Sequence, residues 1–201
     1  NVEEGRKLIR DFMQHFPKAS MSMEPYPLSL RSINWIRFLS CNGINDVDID
    51  AVLYAQLKLL IHKLEYHLLG NHLLENGFAL LFGAYYFNDH AFYKKAKTIL
   101  ILELQEQVLG DGGHFERSPM YHCIMLYRVL DCYNLVRNNA LFGRELEDIL
   151  KERAEVMLGW LEEVVYSNGR IPLLNDAAVG IAPTAKELIE YSQRLGIFCG
   201  K

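Results

Sequence analysis

The sequence predicts an all-α fold, and three observations support this prediction. Almost every segment spaces its apolar residues with helical period, and segments with strand period are scarce. Half of the 201 residues are hydrophobic, which is enough to form a sizeable core. The connections between periodic segments are brief, and short connections make consecutive helices antiparallel neighbours. We therefore predict a single domain over residues 1–201, built of antiparallel helical hairpins arranged as a bundle or a ring.

The apolar periodicity predicts eight helices, over residues 3–15, 28–40, 47–69, 72–87, 90–109, 118–137, 143–166 and 184–194. Two of them begin with clear start signals. Ser118 is a good N-cap and Pro119 a good first helical residue, and Thr184 can cap the last helix. The segment 167–183 has no helical period, and an irregular segment of that length in a compact domain is often functional.

One face of the helix over 72–87 is unusual for a surface helix. A stripe at helical spacing carries polar residues first and small residues later: His72, Glu75, Asn76, Ala79 and Gly83. An exposed helix would place Lys or Glu along such a stripe. We therefore predict that another part of the protein approaches this face closely.

Composition excludes several classes of function. The net charge of −4 leaves no general basic surface for nucleic acid. The sequence contains no run of 18 apolar residues, the length that a membrane-spanning helix needs. The four cysteines are scattered, which predicts free, partly buried thiols: Cys41, Cys123, Cys132 and Cys199. No phosphate loop, Gly-x-Ser-x-Gly motif or Cys/His protease pattern is present. The chain begins at Asn1 without a signal-peptide pattern, as expected of a mature form or of a piece of a longer chain.

The first candidate site is Asn71, His72 and Glu75. Asn71 can donate and accept hydrogen bonds, and His72 can exchange a proton near neutral pH. Glu75, one turn further on, can orient the imidazole or carry a proton itself. The structural alternative is that Asn71 caps the helix and His72 pairs with Glu75 on the surface.

The second candidate site is the Gly-rich loop that leads into the helix at Ser118, with its polar and titratable residues His114, Glu116, Arg117, Tyr121 and His122. Tyr121 falls in the first helical turn, where the partly positive helix end favours a phenolate, so it is a candidate proton carrier. The structural alternative is a turn, a cap and a Tyr packed on a neighbouring helix. The spacing of His114 and His122 matches no standard zinc motif, so we predict no metal site.

Four stretches, in this order, carry a resemblance to a known family: residues 24–35 (EPYPLSLRSINW), 70–76 (GNHLLEN), 111–122 (DGGHFERSPMYH) and 174–176 (LND). The second and third together are the specific combination. They resemble the heparinase II/III family of polysaccharide lyases, and the resemblance extends from about residue 25 to the end of the chain. It implies an incomplete α/α toroid, which in the family precedes a large antiparallel β-sheet domain. That sheet region, which supplies a further catalytic His or Tyr, is not in this sequence, so the resemblance implies that the chain is a fragment whose partner domain is absent.

The resemblance also implies an activity. Such lyases cleave an acidic, uronate-containing polysaccharide, heparan-sulfate-like or a related glycosaminoglycan or uronate polymer, by β-elimination and without a cofactor. Asn71, with His72, would neutralise the uronate carboxylate, and Tyr121 would act as general acid and base. Substrate contacts would come from Glu75, His114, Glu116, Arg117 and His122. Few Lys and Arg surround these positions, which favours a weakly sulfated polymer over heparin. The family implies a periplasmic or secreted protein.

Two other functions are compatible with the sequence. An α/α toroid can also be a glycoside hydrolase, in which two carboxylates flank the scissile bond, and Glu75 with Glu116 are the candidates. The chain could instead be a non-catalytic helical module that binds carbohydrate. Only a lyase forms a C4–C5 double bond in its product.

Overall fold

The computed structural model describes residues 1–15, 23–68 and 70–199. Within these residues the protein is all-α, with eight helices and no β-strand, so the predicted all-α class is confirmed. The β-type pairing found among them is an isolated antiparallel bridge between Val108 and His114. The incomplete α/α toroid stays a prediction.

The observed helices agree closely with the predicted ones except in α3. In chain order they are α1 (Val2–His15), α2 (Pro25–Cys41), α3 (Val47–His62), α4 (His72–Phe87), α5 (His90–Gln107), α6 (Pro119–Arg137), α7 (Glu145–Val164) and α8 (Ala185–Arg194).

The predicted helix over 47–69 was too long, because α3 ends at His62. Beyond it the backbone N–H of Glu65 donates to the Asn76 side-chain Oδ1 at 3.1 Å instead of continuing the helical ladder. The sequence keeps helical period through this region, so the tertiary hydrogen bond ends the helix where local propensity does not. Residue 69, the predicted end, lies outside the described residues.

The chain forms two compact units, Asn1–Leu100 and Ile101–Lys201, and the single domain over residues 1–201 stays a prediction. In the first unit α2, α3 and α4 pack on one another, and α1 packs on α3. Asp46, the N-cap of α3, accepts from the backbone N–H of Ile49 and from the guanidinium of Arg10 at 2.8 Å, so one carboxylate both caps α3 and ties α1 to it.

Helix α4 is the centre of the first unit, and every residue from Leu73 to Tyr85 is buried. A Cβ placed on Gly83 would lie 2.4 Å from Leu57 Cδ1 of α3, and one on Gly77 would lie 2.8 Å from Ile99 Cγ2 of α5. The small residues of α4 therefore allow its neighbours to approach closely. This confirms the prediction drawn from the stripe at Gly83.

In the second unit α6 and α7 pack together, and α8 packs on both. Both predicted start signals are confirmed. Ser118 accepts from the Tyr121 backbone N–H with Pro119 in the first turn, and Thr184 forms a complete capping box with Glu187. The segment between α7 and α8 contains no helix, as its composition predicts.

No disulfide joins the cysteines of the described residues, as predicted, but Cys41 is exposed and not partly buried. Cys123 and Cys132 are buried inside α6, and burial raises the pKa of Cys123 to about 12. Among the helices that the structure describes, none has the length and hydropathy required to span a bilayer.

Candidate functional site

The candidate residues fall into two groups, one in each compact unit. The first unit carries Asn71, His72 and Glu75 around the start of α4, and the second carries His114, Glu116, Arg117, Tyr121 and His122 at the entrance to α6. Each group is built by its own local structure.

Asn71 occupies the N-cap position of α4, but its side chain makes no capping hydrogen bond. The residue is 4% exposed, and its amide nitrogen Nδ2 has no hydrogen-bond partner among the described residues. The structural alternative, in which Asn71 serves as a cap, is therefore not what the structure shows. A buried amide donor without an acceptor costs about 1–3 kcal/mol.

His72, the first residue of α4, is oriented by Glu65 and not by Glu75 as the sequence suggested. Its Nδ1 lies 3.1 Å from Glu65 Oε1, and the imidazole is 39% exposed whereas the carboxylate is 7% exposed. The ring of Tyr26 covers the imidazole, with 4.5 Å between ring centroids. Glu75 lies one turn into α4 and is fully buried.

Glu65 was missed by sequence reasoning because it belongs to no recognisable motif. It lies in the connection after α3, seven residues before His72, and no helical period relates the two positions. A buried hydrogen-bond network holds it: Asn76 Nδ2 donates to Glu65 Oε2 at 3.0 Å and to Ser29 Oγ at 3.1 Å. The signal that the sequence did offer was Asn76, a polar residue on the stripe of an otherwise apolar helix.

In the second unit a tight loop, residues 109–117, leads from α5 to α6. Gly112 has a φ of 88°, and a Cβ there would lie 2.1 Å from the Val156 carbonyl oxygen of α7, so only glycine fits. Asp111 Oδ1 accepts from the Gly113 N–H at 2.9 Å, and the Phe115 N–H donates to the Gln107 carbonyl. These bonds fix the shape of the loop and join it to the end of α5, while the absence of a side chain at Gly112 allows the loop to approach α7.

The two histidines of this region are buried and neutral. His122 donates from Nε2 to the Met157 carbonyl at 3.0 Å and accepts at Nδ1 from the His114 backbone N–H at 3.3 Å. Burial lowers the pKa of His122 to about 3 and that of His114 to about 4. Because both ring nitrogens of His122 bind protein groups, we assign His122 the role of fixing the loop on α6 and α7.

His114 keeps one ring nitrogen without a protein partner. Its Nε2 lies 3.0 Å from Gln107 Oε1, and Gln107 in turn donates to Glu103 Oε2 at 2.8 Å. These two hydrogen bonds place the hydrogen of His114 on Nε2 and leave Nδ1 as an acceptor. Nδ1 has no hydrogen-bond partner among the described residues. His114 lines a pocket of about 320 Å³ together with Asp111, Arg117 and Trp160. Trp160 is a pocket residue that sequence reasoning did not name.

Arg117 is exposed and has a φ of 55°, a left-handed conformation that is uncommon outside glycine. Its carbonyl oxygen accepts from Asn175 Nδ2 at 2.7 Å, which ties the irregular 167–183 segment to the loop. This hydrogen bond brings two of the stretches on which the resemblance rests, 111–122 and 174–176, into direct contact. Glu116, next to Arg117, is half-buried.

Tyr121 lies in the first turn of α6 and is half-buried. The Ser118 cap fixes its backbone, since the Tyr121 N–H donates to Ser118 Oγ at 3.4 Å. A phenol at this position can give or take a proton, an amide donor such as Asn71 can bind a carboxylate, and the imidazole of His72 can do either. Across the residues described, no group of His, Cys, Asp and Glu has the arrangement of a metal site.

No curated protein and no solved structure matches this chain. The family model described as Heparinase II/III N-terminus matches residues 27–199, which is most of the chain and includes every candidate residue named above. The resemblance first seen in four short stretches is thereby confirmed over nearly the full length. The chain belongs to the heparinase II/III N-terminal family.

Proposed function

We propose that this protein is the helical part of a polysaccharide lyase that cleaves uronate-containing chains by β-elimination. Family membership supports the relationship to polysaccharide lyases. The observation that carries the mechanism is the buried Nδ2 of Asn71, a donor at the start of α4 with no acceptor among the described residues. The partly positive N-terminus of a 16-residue helix adds to the attraction for a carboxylate.

β-Elimination requires three functions from the protein: a group that neutralises the carboxylate, a base for the C5 proton and an acid for the departing oxygen. The C5 proton of a uronate is weakly acidic, because charge must build on the carboxylate when that proton leaves. We propose that Asn71 and His72 bind this carboxylate and stabilise that charge. Because Nδ2 is covered, carboxylate binding requires local opening of the chain around Asn71.

Tyr121 is the proposed proton carrier. Its phenolate takes the C5 proton, the electron pair of that C–H bond forms the C4–C5 double bond, and the C4–O bond breaks. The phenol then gives its proton to the departing oxygen. We propose sugar contacts for Arg117, Glu116 and His114, and a structural role near the carboxylate for Glu75.

The glycoside hydrolase alternative gains no supporting observation. Of its candidate carboxylates, Glu75 is fully buried inside α4, whereas a hydrolase needs two carboxylates that reach the scissile bond. A non-catalytic binding module remains the competing proposal, since it would use the same donors without Tyr121.

Periplasmic or secreted localisation is part of the proposal, on the ground of family membership.

The test is the ultraviolet absorbance of the unsaturated product, measured with unsulfated and sulfated uronate polysaccharides. We expect Tyr121→Phe to reduce turnover by about 100-fold or more, the usual contribution of a positioned acid–base group. Tyr127→Phe, in the same helix α6, is the matched control and is expected to retain activity. The same assay on a protein extended at its C-terminus by the β-sheet domain that the resemblance implies tests whether this part needs a partner domain.

Near-normal turnover by a well-folded Tyr121→Phe protein would exclude the mechanism. Binding of the polysaccharide without any unsaturated product, by both the short and the extended protein, would favour the binding module.

A further inference from the structure

The carboxylate of Glu65 is nearly buried, and both of its oxygens accept hydrogen bonds from side chains of α4. Oε2 accepts from Asn76 Nδ2 at 3.0 Å and Oε1 lies 3.1 Å from His72 Nδ1. A buried charge is costly unless such donors satisfy it. Asn76 is itself held in one orientation, because its Oδ1 accepts from the Glu65 backbone N–H at 3.1 Å.

This arrangement decides which nitrogen of His72 carries hydrogen. A carboxylate oxygen can only accept, so Nδ1 must be the donor, and Nε2 then holds the lone pair of the neutral ring. The Tyr26 ring, tilted by 35° to the imidazole with 4.5 Å between ring centroids, further limits rotation of the imidazole. Neutral histidine in water prefers the opposite form, with hydrogen on Nε2, so the protein imposes the less common tautomer.

We propose that Glu65 is a positioning residue for His72. It fixes the Nδ1–H tautomer, presents Nε2 as the reactive nitrogen, and stabilises the imidazolium whenever Nε2 binds a proton. The part of this inference that concerns catalysis rests on the proposed function, whereas the tautomer itself does not.

Glu65→Gln is the discriminating substitution, because it keeps the size of the side chain but replaces one acceptor with a donor. Asn76 Nδ2 and His72 Nδ1–H both need an acceptor, so the amide of Gln satisfies only one of them. If Glu65 served only as a structural link to Asn76, the tautomer of His72 would stay the same when the carboxylate becomes an amide.

The first readout is the tautomer of His72, measured by long-range ¹H–¹⁵N correlation on ¹⁵N-histidine-labelled protein. Spectra are recorded at increasing pH until the ¹⁵N shifts of the ring no longer change, so that the neutral ring is observed. The His72 signals are assigned by their loss in His72→Asn. We expect Nδ1–H in the unsubstituted protein and a shift to Nε2–H or a mixture in Glu65→Gln. Glu163→Gln, which removes an exposed carboxylate of α7, is expected to leave His72 unchanged.

A second substitution is designed to rescue the first. Adding Asn76→Asp to Glu65→Gln gives the Gln amide nitrogen an acceptor, so the Gln oxygen becomes available again to His72 Nδ1–H. We expect the Nδ1–H signature to return in this double variant, with helix content and unfolding temperature checked by circular dichroism.

The inference is overturned if His72 carries its hydrogen on Nε2 in the unsubstituted protein, or keeps Nδ1–H unchanged in folded Glu65→Gln. Where polysaccharide cleavage is measurable, we expect Glu65→Gln to lower kcat about 10-fold to 100-fold with little change in KM, a part of the roughly 10²–10⁴-fold that positioned acid–base groups contribute. Because the tautomer is measured without any polysaccharide, failure of the lyase proposal and failure of this inference give different results.

Discussion

At the scale of single residues, the informative feature is a hydrogen bond that is not made. Asn71 stands where a helix cap would stand, yet its side chain does not cap α4 and its Nδ2 has no acceptor among the described residues. A residue kept for stability would have satisfied one of these needs. The side-chain amide of Asn71 therefore makes no hydrogen bond through Nδ2 that would stabilise the described structure.

This leads to a prediction about stability. Asn71→Ala removes no capping bond and removes a buried donor that lacks an acceptor, so the free energy of unfolding should change little. Thr184→Ala is the control, since it breaks a complete capping box and should cost about 1 kcal/mol. Urea denaturation of the two variants provides the comparison. A larger loss for Asn71→Ala than for Thr184→Ala would show that Asn71 is structural.

The buried histidines predict how stability depends on pH. Burial holds the pKa of His114 at about 4 and that of His122 at about 3, below the ordinary value of about 6.5 that applies after unfolding. Between these values the unfolded chain binds more protons, so stability is lost as the pH falls below about 6.5. Each histidine contributes a slope of up to about 1.4 kcal/mol per pH unit.

The check is urea denaturation between about pH 6.5 and 5, a window chosen to lie above the ordinary carboxylate pKa values. His114→Gln should reduce the slope, whereas His67→Gln, which changes an exposed histidine, should leave it unchanged. Equal slopes in all three proteins would contradict the buried, neutral state of His114.

At the scale of elements, the region around the start of α6 has one feature that the local sequence predicts and one that depends on tertiary packing. The Ser-Pro start signal predicted the beginning of α6 correctly, because a cap depends on residues a few positions apart. The contact of Gly112 with the carbonyl of Val156 could not be predicted, since 44 residues separate them in the sequence and only the packing of the loop on α7 brings them together.

Gly112→Ala should therefore be strongly destabilising. The new Cβ would meet a backbone oxygen at 2.1 Å, in addition to the conformational cost of a φ of 88°. Gly169→Ala in the same unit has a similar φ of 78° but open space around it, so it should lose only the conformational cost, about 1–2 kcal/mol. Thermal unfolding of the two variants checks the difference, and equal losses would mean that the loop does not pack on α7.

At the scale of the whole molecule, charge bears on the choice of substrate. The chain carries 21 basic and 25 acidic residues, and Arg117 is the one exposed cation among the candidate residues. Binding a densely sulfated polymer relies on many Lys and Arg neutralising its charge. A weakly sulfated or unsulfated uronate chain needs fewer such contacts.

We therefore expect unsulfated uronate polymers to be cleaved with a higher kcat/KM than heparin. Product absorbance in matched buffers of equal ionic strength measures this preference, since salt screens surface charge. Arg117→Gln, compared with the exposed Arg144→Gln, tests whether the candidate cation contributes. Preference for fully sulfated heparin would contradict the charge argument.

The sequence by itself determined the features that depend on near neighbours in the chain. Helical period identified the eight helices, cap residues identified two helix starts, and short motifs identified the family. Only the tertiary structure decided that α3 stops at His62, that Glu65 and not Glu75 holds His72, and that Asn175 contacts Arg117. These outcomes depend on hydrogen bonds between residues that no helical or strand period relates. Such a bond forms only after packing has excluded water from its donor and acceptor, and the local sequence does not encode which partners then meet.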